Sequence, residues 1–145
     1  MIGRAKAGDS TPMPFLVALT VIVVVLIGIG VTAWLQRGPD NEREAVVRAV
    51  LGQNDALQRL DYPDFRASTC AQLAGTQTDV LARQRQSVEQ RGARYVENVT
   101  GVSVDGDRAT ATVIYYFGSA RDDKITSTTT VLREDGSWRV CTAGP

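Results

Sequence analysis

The pattern of apolar and polar positions divides the chain near residue 37. From Phe15 to Trp34 it reads "FLVALTVIVVVLIGIGVTAW", without one ionisable group, whereas everything after Arg37 mixes apolar with charged residues. At ~1.5 Å per residue, a helix of this length spans roughly 30 Å, the thickness of a bilayer core. Thirteen residues of the run are Leu, Ile, Val or Phe. Each contributes about −0.3 to −0.6 kcal/mol on the insertion scale, so the sum, on the order of −4 to −8 kcal/mol, favours insertion. Two other readings compete, a buried helix of a soluble protein and a cleaved signal peptide, since "VTA" at 31–33 has the small residues of a cleavage site. Signal-peptide cores run only about 7 to 15 residues, however, and "STPMPF" precedes this one. The pattern therefore predicts a short cytoplasmic tail at 1–14, an uncleaved transmembrane helix at 15–36, a linker at 37–43 and an exported domain at 44–145. Arg4 and Lys6 lie before the span, and Arg37, Arg43 and Arg48 lie after it. Basic residues therefore do not orient it.

Beyond the span the apolar period is first helical. Asn41 and Glu44 have the spacing of an N-terminal capping pair, and Val46, Val50, Leu57 and Leu60 fall near one face with Val47 and Leu51 beside them. This predicts a helix over about 41–60. "DYPDFRASTCAQLAG" restarts the chain, with Pro63 suited to a first helical turn and Gly75 to an ending. A third helix starts at Thr78 and Asp79 and ends near Gly92.

From Arg94 the period shortens to two. "YVENVTGVSV" and "RATATVIYYF" flank a hairpin turn at Asp105 and Gly106, and Ala109, Ala111, Val113, Tyr115 and Phe117 share one face of the second strand. "GSARDD" reads as a loop leading into the threonine-rich strand "KITSTTTVLR". Asp135 and Gly136 then turn the chain into "SWRVCT". The class is α+β: a membrane helix, three further helices and a four-stranded antiparallel meander, with the helices free to cover one sheet face.

Cys70 and Cys141 are the two cysteines of the chain. If the domain is exported they form the one possible intramolecular pair, closing a loop that stabilises by roughly 4 kcal/mol in the chain-entropy model. Two separate buried thiols of a cytosolic domain are the alternative. Pairing would join the last strand to an early helix, but Trp138 and Val140 share a strand parity that Cys141 does not. A bulge, a strand end or a crossing at the sheet edge must therefore re-aim the cysteine.

Helices followed by such a sheet, with "LDYPDF" between the first helices and "DGSWRVC" closing the last hairpin, resemble the nuclear-transport-factor-2-like superfamily, also called SnoaL-like or cystatin-like. The chain is similar to actinobacterial single-pass membrane proteins with an exported domain of this type, including lumazine-binding-like proteins and proteins associated with the Mce lipid importers. That resemblance implies a cone of three helices on a curved four-stranded sheet. It also implies envelope or lipid-transport proteins as partners. The superfamily holds enzymes as well as members that bind or assemble, so fold does not settle function.

The remaining motifs narrow the chemistry. "GIGVTA" at 28–33 matches a dinucleotide fingerprint, yet the apolar run before it is too long for the required strand. Histidine is absent, which removes Ser-His-Asp and Cys-His catalysis. Asp105, Asp107, Asp122 and Asp123 lack calcium-loop spacing and suit turns, so no metal or other cofactor is expected. From residue 37 onward there are 14 basic and 15 acidic residues. Nucleic acid is therefore not an expected partner, and the arginines read as a solvated surface. An isomerase-like site would need a carboxylate base and a tyrosine in an apolar cone, for which Tyr95, Tyr115, Tyr116 and Glu97 are available, but no residue matches a catalytic motif. Phe65, Tyr95, Glu97, Tyr115, Phe117 and Trp138 are the candidate pocket lining. The expected role is a non-enzymatic, extracytoplasmic accessory or interaction module of a cell-envelope system, touching the bilayer through 15–36. The alternative is a small-molecule or lipid-binding domain, with a degenerate isomerase-like enzyme as its extreme.

Overall fold

The structure, a computed structural model, describes residues 13–35 and 38–142, with side chains in the first stretch described for 17–32. The expected tail therefore lies almost wholly outside the described residues. The chain forms two units, Met1–Gly38 and Pro39–Pro145.

The first unit contains helix α1 (Met13–Leu35), which has no acidic residue in its first turn and no basic residue in its last. Its apolar side chains at 17–32 are all exposed. Among the described residues no helix is long and apolar enough to cross a membrane.

The second unit contains α2 (Pro39–Gln58), α3 (Tyr62–Ala67), α4 (Gln77–Arg91), β1 (Arg94–Asp105), β2 (Arg108–Phe117), β3 (Ala120–Glu134) and β4 (Ser137–Val140). The strands pair antiparallel in the order β1-β2-β3-β4, the meander read from the sequence. Helix α2 begins at Pro39, inside the stretch expected to be a linker, because a proline needs no amide partner in a first turn. Asn41 and Glu44 therefore lie within the helix and do not cap it. Val46, Ala49 and Val50 of α2 are buried against Ala109, Ala111, Val113, Tyr115 and Phe117 of β2, with Val131, Trp138 and Val140 completing the layer. A second cluster gathers Ala56, Phe65 and Val80 from the three helices. Leu60, expected on the apolar face of α2, lies past the helix end at φ 57° and is 37% exposed.

Helix α3 is shorter than the sequence suggests. Asp61 caps it, its carboxylate accepting from the Asp64 amide at 3.1 Å, but it stops at Ala67 because the next residues are drawn to the sheet. The Val140 amide donates to the Ser68 carbonyl (2.8 Å), and the Cys70 amide donates to the Val140 carbonyl (2.9 Å). Thr69 thereby forms a parallel bridge with Val140 on the free side of β4. Helix α4 begins one residue before Thr78, capped by Thr76, whose hydroxyl accepts from the Asp79 amide at 3.2 Å.

Three turns refine the hairpins. Asp105 pairs with Arg108, so Gly106 and Asp107 form the first loop. Phe117 pairs with Ala120, so "GSARDD" contributes only Gly118 and Ser119 to a turn, its other four residues belonging to β3. Glu134 pairs with Ser137, and both residues between them, Asp135 (φ 51°) and Gly136 (φ 78°), are left-handed, as a tight Asp-Gly hairpin requires. Register shifts at Val96/Asn98 and Thr100/Ser103 of β1 mark bulges, which bend and twist a strand.

Cys70 and Cys141 form the disulfide, their Cα atoms 5.1 Å apart, well within the usual span. Cys141 lies just past β4 and Cys70 just past the Thr69 bridge, so the covalent link joins two adjacent backbone segments at the sheet edge instead of reaching a helix. This resolves the parity conflict: Trp138 and Val140 face the core, and Cys141 is released from the alternation because the strand has ended. Cys141→Ser should lower stability in chemical denaturation by about 2 to 4 kcal/mol. Thiol labelling of the native chain should detect no free thiol before reduction; two reactive thiols would show that the bond is absent.

Candidate functional site

A cavity of about 240 Å³ opens between the second helical cluster and the end of the sheet. Its apolar wall is Leu57, Phe65, Leu73, Val80 and Phe117. Its polar wall combines Gln53, Thr69, Gln84, Ser87 and Thr142 with three arginines, Arg83, Arg91 and Arg94. No aspartate or glutamate is among the described residues lining it. A smaller pocket of about 40 Å³ shares Gln53, Arg94 and Thr142, and it too has no acidic lining residue.

The arginines converge because of the reversal at Gly92. Arg91 is the last residue of α4 and Arg94 the first of β1, and the chain folds back between them at Gly92 with φ 79° and ψ −179°. That conformation is essentially open to glycine alone. A Cβ there would also lie 3.0 Å from the Ser119 amide nitrogen and 3.2 Å from Gly118 Cα. The β2–β3 turn fastens the junction: the Gly118 amide donates to the Ala93 carbonyl (2.8 Å), while the Ser119 amide (3.1 Å) and hydroxyl (2.5 Å) donate to the Arg91 carbonyl.

Arg91 stacks its guanidinium 4.1 Å over the Phe117 ring and donates to Ser87 Oγ at 2.9 Å. Arg94 lies 5.5 Å over the Tyr115 ring and donates from Nε to Asn54 Oδ1 at 2.7 Å. Among the described residues Arg94 makes no ion pair. Burial pushes its guanidinium below the ordinary value, Tyr115 opposes that shift, and the like charge of Arg91 adds to it; a guanidinium nevertheless keeps its charge in a protein. At the cavity floor Gln53 Nε2 donates to the buried Thr69 hydroxyl at 2.9 Å, so the segment stapled to β4 also shapes the pocket.

The residues expected to line a pocket divide among three places. Phe65 and Phe117 line the main cavity and Tyr115 the smaller one. Trp138 is buried in the sheet core, donating from Nε1 to Glu42 at 2.8 Å, with Arg133 stacked 4.4 Å over its ring and bonded to the same carboxylate. Tyr95 and Glu97 lie outside both pockets. Tyr95 pairs with Tyr116, whose neighbour Tyr115 points into the core, and the two outer rings stack at 5.4 Å. Glu97 sits in the first bulge and accepts from Lys124 Nζ at 2.6 Å, a bond that raises the exposed lysine above its ordinary value. Glu97, Tyr95 and Tyr116 thus gather on the exposed face of the sheet, and neither pocket is lined by them.

Sequence reasoning missed Gln53, Arg91 and Arg94 as lining residues and placed the arginines on a solvated surface. The available signal was "RGAR" at 91–94, with a glycine where helix gives way to strand. Cys70, Cys141 and Glu134 form the one cluster of metal-ligating residue types among the described residues. Its two sulfurs are joined in the disulfide, and Glu134 accepts from the Ala71 amide at 3.2 Å.

The sequence matches no protein-family model and no curated protein. Among solved structures, a protein named as a dehydratase of the NTF2-like family from Streptomyces avermitilis superposes with a TM-score of 0.51 at 18% identity, covering 71% of this chain and 93% of that one. An NTF2-like protein from Campylobacter jejuni, named as a transpeptidase, gives a TM-score of 0.41 at 16% identity over 62% of this chain and 91% of its own. The first likeness identifies the fold as NTF2-like; at such identity it carries the fold alone.

Gly92→Ala should cost at least about 1 to 3 kcal/mol of stability, measured by chemical denaturation. Wild-type stability in this variant would show that the junction holding both arginines tolerates a side chain.

Proposed function

We propose that the chain is a membrane-anchored, extracytoplasmic module whose NTF2-like domain binds a small molecule without transforming it. The observation that carries the binding reading is the cavity: about 240 Å³, walled on one side by Leu57, Phe65 and Val80 and on the other by hydrogen-bonding groups. Apolar walls with a few placed polar groups are the usual form of a small-ligand site. Phe65 and Phe117 form walls and leave the space open, which favours a ligand-binding domain over a plugged cone acting only through its surface. The enzymatic version of the reading lacks a base, since no carboxylate lies among the described lining residues and the chain has no histidine. General acid-base chemistry on carbon needs such a group within hydrogen-bond reach of the substrate.

The anchoring part rests on two independent features. The run at 15–34 carries no charge, and a helix there buries all its backbone hydrogen bonds internally, which lipid demands. A disulfide in so small a domain suits an oxidising compartment and is rare in a reducing one. Residues 15–36 are accordingly the proposed anchor, with the C-terminal domain outside the cytoplasm.

Two experiments test the halves separately. A reporter active only after export, fused behind Pro145, should be active in cells; activity confined to a cytosolic reporter at the same position would overturn the compartment. Native mass spectrometry of the membrane-extracted chain should reveal a small-molecule adduct that Leu57→Trp, which fills the cavity, abolishes. An adduct that persists in the filled variant would show that the molecule binds elsewhere.

A further inference from the structure

The segment at 68–76, between α3 and α4, is fastened at both ends. Tyr62 Oη donates to the Gly75 carbonyl at 2.6 Å, and the Ala71 amide donates to the Glu134 carboxylate at 3.2 Å. The Cys70–Cys141 bond then joins the segment to the residue that follows β4. One wall of the cavity is built directly on that bond. Thr69 precedes Cys70, Thr142 follows Cys141 and Leu73 lies one turn further along the segment, and all three line the cavity. Pairing of β4 does not need the sulfurs. The amides of Cys70, Val140 and Cys141 donate to the carbonyls of Val140, Ser68 and Thr130 at 2.8 to 2.9 Å, and these bonds run through backbone alone. The covalent link therefore adds a fixed separation between two points of the wall, each next to a lining threonine. Access to it is one-sided, because Cys70 is buried whereas Cys141 is only half-buried. A thiolate can approach from the Cys141 side.

Resting on the ligand-binding reading above, we propose that the Cys70–Cys141 disulfide is a redox latch on the cavity. Oxidised, it holds Thr69, Leu73 and Thr142 together as one wall; reduced, it lets that wall loosen, so the site loses affinity while the sheet persists. The reductant is a dithiol. One of its thiolates attacks the Cys141 sulfur, the disulfide breaks, and Cys70 leaves as a thiolate that takes up a proton. The second sulfur of the dithiol then attacks the mixed disulfide and releases Cys141, which is protonated in turn. Two electrons and two protons have passed to the chain, and the dithiol ends as a disulfide. Binding and reduction are linked through the wall: a ligand that prefers the latched form by a given factor makes the bond harder to reduce by the same factor.

The test uses the full chain in lipid nanodiscs, dithiothreitol as the dithiol and cyclohexanemethanol as the probe, a neutral ring for the apolar wall with one hydroxyl for the threonines. Ligand-observed NMR should find the probe bound about tenfold more tightly by the oxidised chain than by the reduced one, the ratio expected when one placed hydrogen bond is lost. Saturating probe should raise the dithiothreitol needed for half reduction by the same ratio. Hydrogen exchange should quicken on reduction at 68–76, with β1, β2 and β3 still protected. Equal affinity in the two redox forms would overturn the latch while leaving the cavity as a binding site. No binding to the oxidised chain would overturn the ligand-binding reading, and the latch with it. Exchange that quickens as much in β1, β2 and β3 as at 68–76 would show that the bond supports the whole fold, which also overturns the latch. A chain carrying both Cys70→Ser and Cys141→Ser should match the reduced form in affinity and ignore dithiothreitol; affinity equal to that of the oxidised form would again overturn the latch. If that variant fails to fold, the native chain in its two redox forms decides alone.

Discussion

A strand of four residues at the edge of a sheet has little to hold it, and β4 is such a strand. Its last residue, Val140, spends its amide on Ser68 and its carbonyl on Cys70, so the segment after α3 serves as a further partner along an edge that would otherwise be open. The disulfide closes the arrangement within one residue of those hydrogen bonds on each chain segment. Much of the fold follows from that junction. Trp138 and Val140 can be core residues only while β4 is held, and Thr69 can form the cavity floor only while its segment is held against Val140. The covalent bond thus acts on the same few residues that join the helical cluster to the sheet.

The second organising feature is the Gly92 reversal. A helix that ends in arginine and a strand that begins with one would normally point their side chains apart. Gly92 folds the chain so tightly against Gly118 and Ser119 that both guanidinium groups reach one cavity, each lying over an aromatic ring of β2. Phe117 and Tyr115 share the core face of that strand with a T-shaped contact at 5.8 Å. The alternation that builds the core therefore also builds the seats for the arginines, and packing and site are one construction.

The regularity of β2 was legible in the sequence because a two-residue period survives without knowledge of partners. The Asp135–Gly136 turn was legible because its backbone admits few residues. What escaped were features decided by tertiary pairing. Helix α3 stops at Ala67 although nothing in "STCAQLAG" forbids helix, because Val140, about seventy residues away, captures Ser68 and Cys70. The loop read into "GSARDD" narrows to Gly118 and Ser119 because Phe117 pairs with Ala120, beyond a register shift that separates this pair from Tyr115 and Ile125. Glu97 and Tyr95 share the exposed face that their parity predicts, Tyr95 stacking on Tyr116 and Glu97 bonding Lys124, but parity alone could not reveal that this face lies away from both pockets. The apolar run at 15–34 is fully legible as composition, and its length is a property of the sequence.

Arg91 and Arg94 expose a more general limit. A chain with 16 basic and 16 acidic residues offers no net attraction to an anion, and net charge is a sound guide to long-range association. It is silent about a cavity. Asp55, Asp61, Asp64, Glu42, Asp107, Glu134 and Asp135 occupy the α2–α3 junction, the hairpin turns and the sheet rim, where they pair with Arg59, Arg133 and Arg139, outside the pocket lining. Within it the field is set by groups a few ångströms apart in poorly solvated surroundings, where Coulomb interactions are far stronger than in water. An electrically neutral chain can therefore gather three arginines, Arg83, Arg91 and Arg94, around one pocket with no described carboxylate in its lining, an arrangement that depends on the fold and not on the net charge.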